Sequence, residues 1–457
     1  MKIESDFSRG SIPHNIVRMA VPMTVAQVIN LLYNIVDRMY LGRLPGYLAL
    51  TGLGICLPII SIVMGFANLC GMGGAPLCAI ERGKGNEEEA QKILGNSFVL
   101  LLLFGITLTG FCLALRKPIL YLFGASDATF PYANEYLSYY MPGTIFVMIG
   151  LGLNPFINAQ GCSRMGMVTV AVGAVVNILL DPIFIFVLDM GIKGAAIATV
   201  ISQACSALWV VLFLTSRNAV LALRKKNCRL QWRRVKKILC LGCSGFMMSM
   251  TNSLVQVLCN AMLELHGGDL YVAVMTVINS VRELISMPVQ GITQGSQPVL
   301  SYNYGAGKWD RVRQGIRFVT LLTVAYSLFA WAVVMLFPEA LIRMFNDKED
   351  LITNGIRAFR IYFLCFFCMS FQFIGQSIFV GLGRSKMAIF FSLLRKAILV
   401  APLSVLLPLL GFGSAGVFWS EPISNVLGGL ACIITMYITV YRPLKNEEST
   451  GNLLFLR

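Results

Sequence analysis

The stretch RMGMVTVAVGAVVNILLDPIFIFVLDMGIKGAAIATVIS runs from Arg164 to Ser202, and its reading decides the fold. It is an apolar block, a short polar turn around Asp189 and Lys193, and the start of a second apolar block. About 20 apolar residues cross the hydrocarbon core of a bilayer as a helix, and a helix satisfies its own backbone polar groups there. Inside the first block stand Asn177 and Asp181, four residues apart and therefore on one helical face. A carboxylate at such depth is costly and marks a working position. Pro182 follows it, removes a backbone donor and frees the carbonyl of Ile178, which bends the helix or offers one more oxygen.

Similar blocks recur along all 457 residues. Spans are expected at 16–41, 48–80, 93–115, 130–157, 166–188, 194–216, 238–264, 270–303, 316–338, 353–382, 387–410 and 414–441. Composition agrees: 56% of residues are hydrophobic, 13% are charged, and the mean hydropathy is +0.72. A soluble domain of this size needs more charge to cover its surface. Alternating segments of about ten residues do not recur, which argues against a β-barrel. The fold class is all-α integral membrane, with twelve transmembrane helices. The first residues include Lys2, Glu4, Asp6, Arg9 and His14, so no cleavable signal is expected and the first helix inserts itself.

The net charge of +15 raises nucleic acid as a partner, but nine Lys and Arg lie together between Arg217 and Lys237, between apolar blocks. A basic loop so placed sets topology or touches lipid headgroups, so the bilayer is the expected partner and nucleic acid is not. Alternate connections are rich in Lys and Arg: Lys2 and Arg9; Arg82, Lys84 and Lys92; the central loop; Lys308, Arg311 and Arg313; Arg384 and Lys386; Arg442 and Lys445. The intervening connections hold only Arg43, Arg116, Lys117, Lys193, Arg343 and Lys348. By the positive-inside rule both termini are cytoplasmic, in an inner (plasma) membrane protein. The 13 Cys lie mostly in apolar blocks and read as small buried residues. The pairs Cys240/Cys243 and Cys365/Cys368 have ordinary helical spacing, and with two His no haem or multi-histidine metal site is expected. No H-E-x-x-H or G-x-S-x-G pattern occurs, and an enzyme is not expected.

Sliding the chain by 222 residues aligns its halves. Gly73, Pro76, Gly83 and Gly85 meet Gly295, Pro298, Gly305 and Gly307; Gly161, Ser163 and Met165 meet Gly383, Ser385 and Met387; Gly191 and Gly194 meet Gly413 and Gly416. Six spans per half give a parallel repeat with its axis along the membrane normal, and two facing bundles enclose a cavity that rocking opens to alternate sides. The expected organisation is a six-helix lobe at 1–216, a basic linker at 217–237, a second six-helix lobe at 238–441 and a tail at 442–457.

The ionisable residues at depth supply the candidate site. Asp37 lies late in span 1 with Tyr33 one turn before it, Asn177 and Asp181 lie in span 5, and Thr199 lies early in span 6. All fall at similar height. Two carboxylates, an amide carbonyl and two hydroxyls suit a hard cation such as sodium, and two buried carboxylates equally suit a proton. Asp37 precedes Arg38, so an interfacial ion pair is the other reading of that residue. The second half does not copy the set: Asp37 meets Cys259, Asn177 meets Leu399, Asp181 meets Leu403, and Thr199 meets Glu421. Glu283 and Glu421, with Asn34 in the first half, are candidates for lining the cavity and attracting cationic substrates; pairing of Glu283 with Arg395 as structural glue is the alternative. The 29 Phe and 22 Met suit a promiscuous cavity, though they fill helix contacts in any membrane protein.

The Arg164 to Ser202 stretch, NIVDRMYLG around Asp37, GAPLCAIERGKGN around Pro76, SQPVLSYNYGAGK and GLGRSKM together resemble the multidrug and toxic compound extrusion (MATE) family. The resemblance implies two six-helix lobes and cation-coupled antiport of organic, cationic compounds. It also implies a cation site at Asp37, Asn177, Asp181 and Thr199. Carboxylates that one branch carries in helices 7 and 10 are replaced here by Asn252 and the neighbourhood of Phe371 and Gln372, which resembles the DinF-like bacterial branch. No cofactor beyond sodium or a proton is expected, and the chain is expected to act as a monomer. A lipid-linked oligosaccharide flippase of related two-lobed fold is the competing function.

Overall fold

The computed structural model describes residues 7–41, 47–217, 219–345 and 349–445. Lys2, Glu4, Asp6, Arg43, Lys348 and the tail beyond residue 445 lie outside the described residues. The long helices are α1 (Ile12–Leu41), α2 (Tyr47–Gly83), α3 (Glu87–Ala114), α4 (Phe130–Ala159), α5 (Ser163–Val187) and α6 (Gly191–Thr215). The second set is α7 (Trp232–Gly268), α8 (Leu270–Gly305), α9 (Trp309–Leu336), α10 (Glu349–Gly381), α11 (385–412) and α12 (413–445). The last two form one continuous helical run, Ser385–Lys445, broken by left-handed backbone at Gly411 (φ 95°) and Gly413 (φ 54°). The fold is all-α, twelve helices in two lobes.

The helices outrun the apolar windows by up to seven residues at one end. α3 begins at Glu87 and α9 at Trp309, in charged turns that a hydropathy reading leaves out. The backbone continues because its hydrogen bonds do not depend on lipid; Asn86 also caps α3, its side chain accepting from the Glu89 N–H. The expected linker is shortened likewise, since its last residues form the first turn of α7.

The repeated glycines divide into two kinds. Gly85 (φ 78°) and Gly307 (φ 67°) hold matching left-handed turns after α2 and α8, where a side chain is strained. Gly83 and Gly305 instead lie on the seam between lobes. A Cβ at Gly83 would overlap the Tyr302 carbonyl oxygen, and one at Gly305 would overlap the Ile80 carbonyl oxygen. Ile80 and Tyr302 are themselves 222 apart, so the contact is reciprocal and the pseudo-two-fold axis passes through it. The same reciprocity relates α2 on α7, where Gly73 meets Ile238 and Gly242, to α8 on α1, where Gly295 meets Ala20.

These approaches lie toward the end that carries Ile12, Gly83, Trp232 and Gly305, which we term the terminal end. There each lobe grips the chain entering the other lobe's first helix. Arg311 of α9 donates to the carbonyls of Phe7 (3.1 Å), Arg9 (3.3 Å) and Gly10 (3.0 Å), while Asn303 Nδ2 donates to Phe7 O (3.2 Å). Phe7, Ile12, Ile16 and Met19 pack with Val299 and Val319 of α8 and α9. Across the axis, Glu89 of α3 accepts a two-pronged bond from Arg234 of α7 (2.6 and 2.7 Å), and Asn96 bonds the backbone of Arg229 and Gln231. Replacing Arg311 by Ala is expected to free the segment before α1. Charge-assisted bonds contribute about 1.5–3 kcal/mol, so trypsin cleavage at Arg9 in the detergent-solubilised protein should accelerate about tenfold or more. An unchanged cleavage rate would show that Arg311 does not hold the segment.

Candidate functional site

The first lobe assembles its site from three helices. α5 is regular until Pro182, after which Ile183–Val187 adopts a wider π-helical turn, a change of winding next to the residue that lacks an N–H. This leaves Asn177 and Asp181 on the inner face of α5, both fully buried. Asn177 Nδ2 donates to Asp181 Oδ1 at 3.2 Å and to Thr199 Oγ1 of α6 at 3.4 Å. From α1, the Asp37 carboxyl lies against Asp181, and the Tyr33 hydroxyl lies near Thr199. All five residues of the expected cation site therefore converge, and the Asp37 carboxyl turns inward toward Asp181.

The donor set fits a monovalent cation or a proton. Asn177 Oδ1 and Asp181 Oδ2 are buried oxygens that take no N–H donor. Two carboxyl groups in contact repel one another unless a proton or a cation lies between them. Such a pair, with an amide oxygen and a threonine hydroxyl beside it, offers the hard oxygen ligands that sodium prefers and water would otherwise supply. Tyr33 also lines an adjoining open cleft with Asn30, Asn154, Gln203 and Ser206, so the cleft reaches the acid pair only by way of Tyr33. Asn34 is exposed, and its Nδ2 turns back to the Asn30 carbonyl (2.8 Å) rather than lining this cleft.

The second lobe differs from expectation. Glu421 is buried, but it is not a bare carboxylate facing the cavity. Lys396 Nζ donates to both its oxygens (3.1 and 2.9 Å) and Arg395 Nη1 donates to Oε1 (2.7 Å) and to Asn425 Oδ1 (3.0 Å). Arg395 is thus spent on Glu421 rather than Glu283, and Glu283 is exposed. Lys396 was legible only as the neighbour of Arg395. The signal that finds it is the repeat: at offset 222, Gly173 and Ala174 meet Arg395 and Lys396, and Gln203 meets Asn425.

Both halves match one family model, described as MatE, at residues 22–183 and 245–406, two matches of equal length. A multidrug export protein MepA of Staphylococcus haemolyticus is 23% identical over 94% of each chain, and one of Staphylococcus aureus is 22% identical over 94% of this chain and 95% of its own. Among solved structures, a MATE crystal structure in complex with MaL6 superposes with TM-score 0.92, at 22% identity, over 98% of this chain and all of its own. An outward-facing conformation of a multidrug resistance MATE transporter gives TM-score 0.91 at 22% identity, over 98% of this chain and 99% of its own. Two matched halves, twelve apolar helices and a two-lobed bundle place this multi-pass membrane protein in the MatE family, and it is a MATE family transporter.

Proposed function

We propose that the chain is an antiporter that exports organic compounds in exchange for protons or sodium ions entering through the first lobe. The observation that carries this reading is the contact of Asp37 with Asp181 beside Asn177 and Thr199. A coupling ion bound there neutralises the pair, and its release leaves two facing carboxylates whose repulsion favours the other packing of α1 and α5. The bent π turn after Pro182 is the element that accommodates the change. Basic connections at the terminal end support a cytoplasmic position for that end and for both termini, in the plasma membrane. The close approaches of α2 to α7 and of α8 to α1 then lie toward the cytoplasmic side. The acids beside the first-lobe cleft draw the cationic group of a substrate.

The test uses purified protein in liposomes loaded with ethidium, with a proton gradient and a sodium gradient imposed separately. One of the two gradients should drive ethidium movement against its concentration, and collapsing that gradient should stop it. Movement insensitive to both gradients would refute antiport.

A further inference from the structure

The two lobes carry opposite polarity at symmetry-related positions. Where the first lobe has Asp37, Asn177 and Asp181, the second has Cys259, Leu399 and Leu403; where the first has Gly173 and Ala174, the second has Arg395 and Lys396. The helix differs as well: residues 172–178 are regular α-helix, whereas Leu394–Val400 forms a π turn. Tyr140 and Tyr362, also 222 apart, are buried in equivalent places.

Around Glu421, three cationic groups gather. Arg395, itself bonded to Asn425, holds it from behind, and Lys396 and Arg282 line a small open cleft on its other side. Arg282 comes from α8 and lines the cleft with Tyr362. One carboxylate faces three cations here, and even with exposed Glu283 beside Arg282 the cations are in excess. Unbalanced positive charge within the hydrocarbon layer is costly and calls for a counter-charge. The cleft also holds amide groups that can bond an anion, from Asn252, Gln256 and Asn279, and it opens past exposed Gln256. Behind Glu421 two buried donors, Arg395 Nε and Asn425 Nδ2, have no acceptor, while in the cleft itself Asn252 Oδ1 has no donor. By charge the cluster carries an excess of cations, the reverse of the first-lobe site.

We propose that this second-lobe cleft binds the carboxylate or phosphate group of an organic substrate, through Lys396 and Arg282, so that the preferred cargo is zwitterionic. This deepens the antiport reading and rests on it for the word cargo. The π-helical turn Leu394–Val400 serves the binding: it brings the consecutive residues Arg395 and Lys396 to the same carboxylate, so Arg395 can keep Glu421 while Lys396 turns to the ligand. A cation alone gains nothing here, because it meets Arg282 and Lys396 first.

The probes are rhodamine 110, which carries a free carboxylate, and rhodamine 123, its methyl ester, which has the same cationic ring system without the anion. Binding to detergent-solubilised protein is read by fluorescence anisotropy, with no ion gradient, so failure of antiport does not affect the result. Rhodamine 110 should bind about tenfold tighter than rhodamine 123, the value of one charge-assisted pair. In Lys396→Met, which leaves Glu421 paired with Arg395, and in Arg282→Gln, the preference should fall below about twofold. The second variant serves if the first does not yield a monodisperse protein. Equal affinities in the unmodified protein, no binding of rhodamine 110, or a preference that survives in either variant would overturn the proposal. Loss of the preference on adding phosphatidylglycerol would assign the cleft to a lipid phosphate and overturn its assignment to a substrate.

Discussion

Asp181→Asn should reduce gradient-driven efflux in liposomes on the order of 100-fold, the scale of a coupling free energy near 3 kcal/mol. The amide is the same size, and its oxygen still accepts from Asn177 Nδ2, so the α5 face and its contact with α6 persist. What disappears is one of two facing negative charges. Asp37 alone, without its partner, holds a proton or sodium ion far less tightly, and the change of occupancy no longer alters the repulsion between α1 and α5. Asp37→Asn should do the same. The double variant should be no worse than either single one, because the two carboxyls act as one unit. Thr199→Val removes a hydroxyl and no charge, so its loss should stay near tenfold, the equivalent of about 1.4 kcal/mol. Efflux at the unmodified rate by either Asn variant would sink the assignment of the coupling site.

The other large effect belongs to the seam. Gly83→Val places a branched side chain where the Tyr302 carbonyl oxygen and the Ala306 nitrogen already lie. Both obstacles are backbone, of α8 and of the residue that follows it, so no rotamer change in a neighbour relieves the overlap. Overpacking of this kind costs about 1–3 kcal/mol, or roughly 5- to 150-fold in a two-state equilibrium. It acts against the packing in which the terminal end is closed. Spin labels at Glu88→Cys and Asp310→Cys, both on exposed and symmetry-related positions, would read the separation in a cysteine-free background. The expected result is a shift of the distance distribution to longer values, with efflux slowed because closure at that end is part of the cycle. An unchanged distribution would show that the seam yields elsewhere.

The helices were legible because lipid leaves the backbone no alternative: long apolar blocks must be helices, and their number and approximate places follow. The first-lobe site was legible for a related reason. Asn177, Asp181 and Asp37 are anomalies in an apolar context, and only a purpose sustains them. The second-lobe cluster was legible in kind but not in pairing. On a straight α-helix, Arg395 and Lys396 point about 100° apart, and the sequence carries no mark of the π turn that brings both to Glu421. Glu283 and Arg395 are likewise both charged and both at depth, but which faces which depends on helix rotation. The repeated glycines were visible as repeats; that Gly83 and Gly305 touch one another while Gly85 and Gly307 turn the chain required coordinates.

The reciprocal contact of Gly83 and Gly305 is the geometry two identical subunits make when each offers the same patch to its twin. A true homodimer built on it would have to repeat every substitution twice, acid facing acid and base facing base. Joining the halves in one polypeptide removes that obligation. Each half is then free to specialise, one toward positive and the other toward negative guests, while the shared hinge stays symmetric.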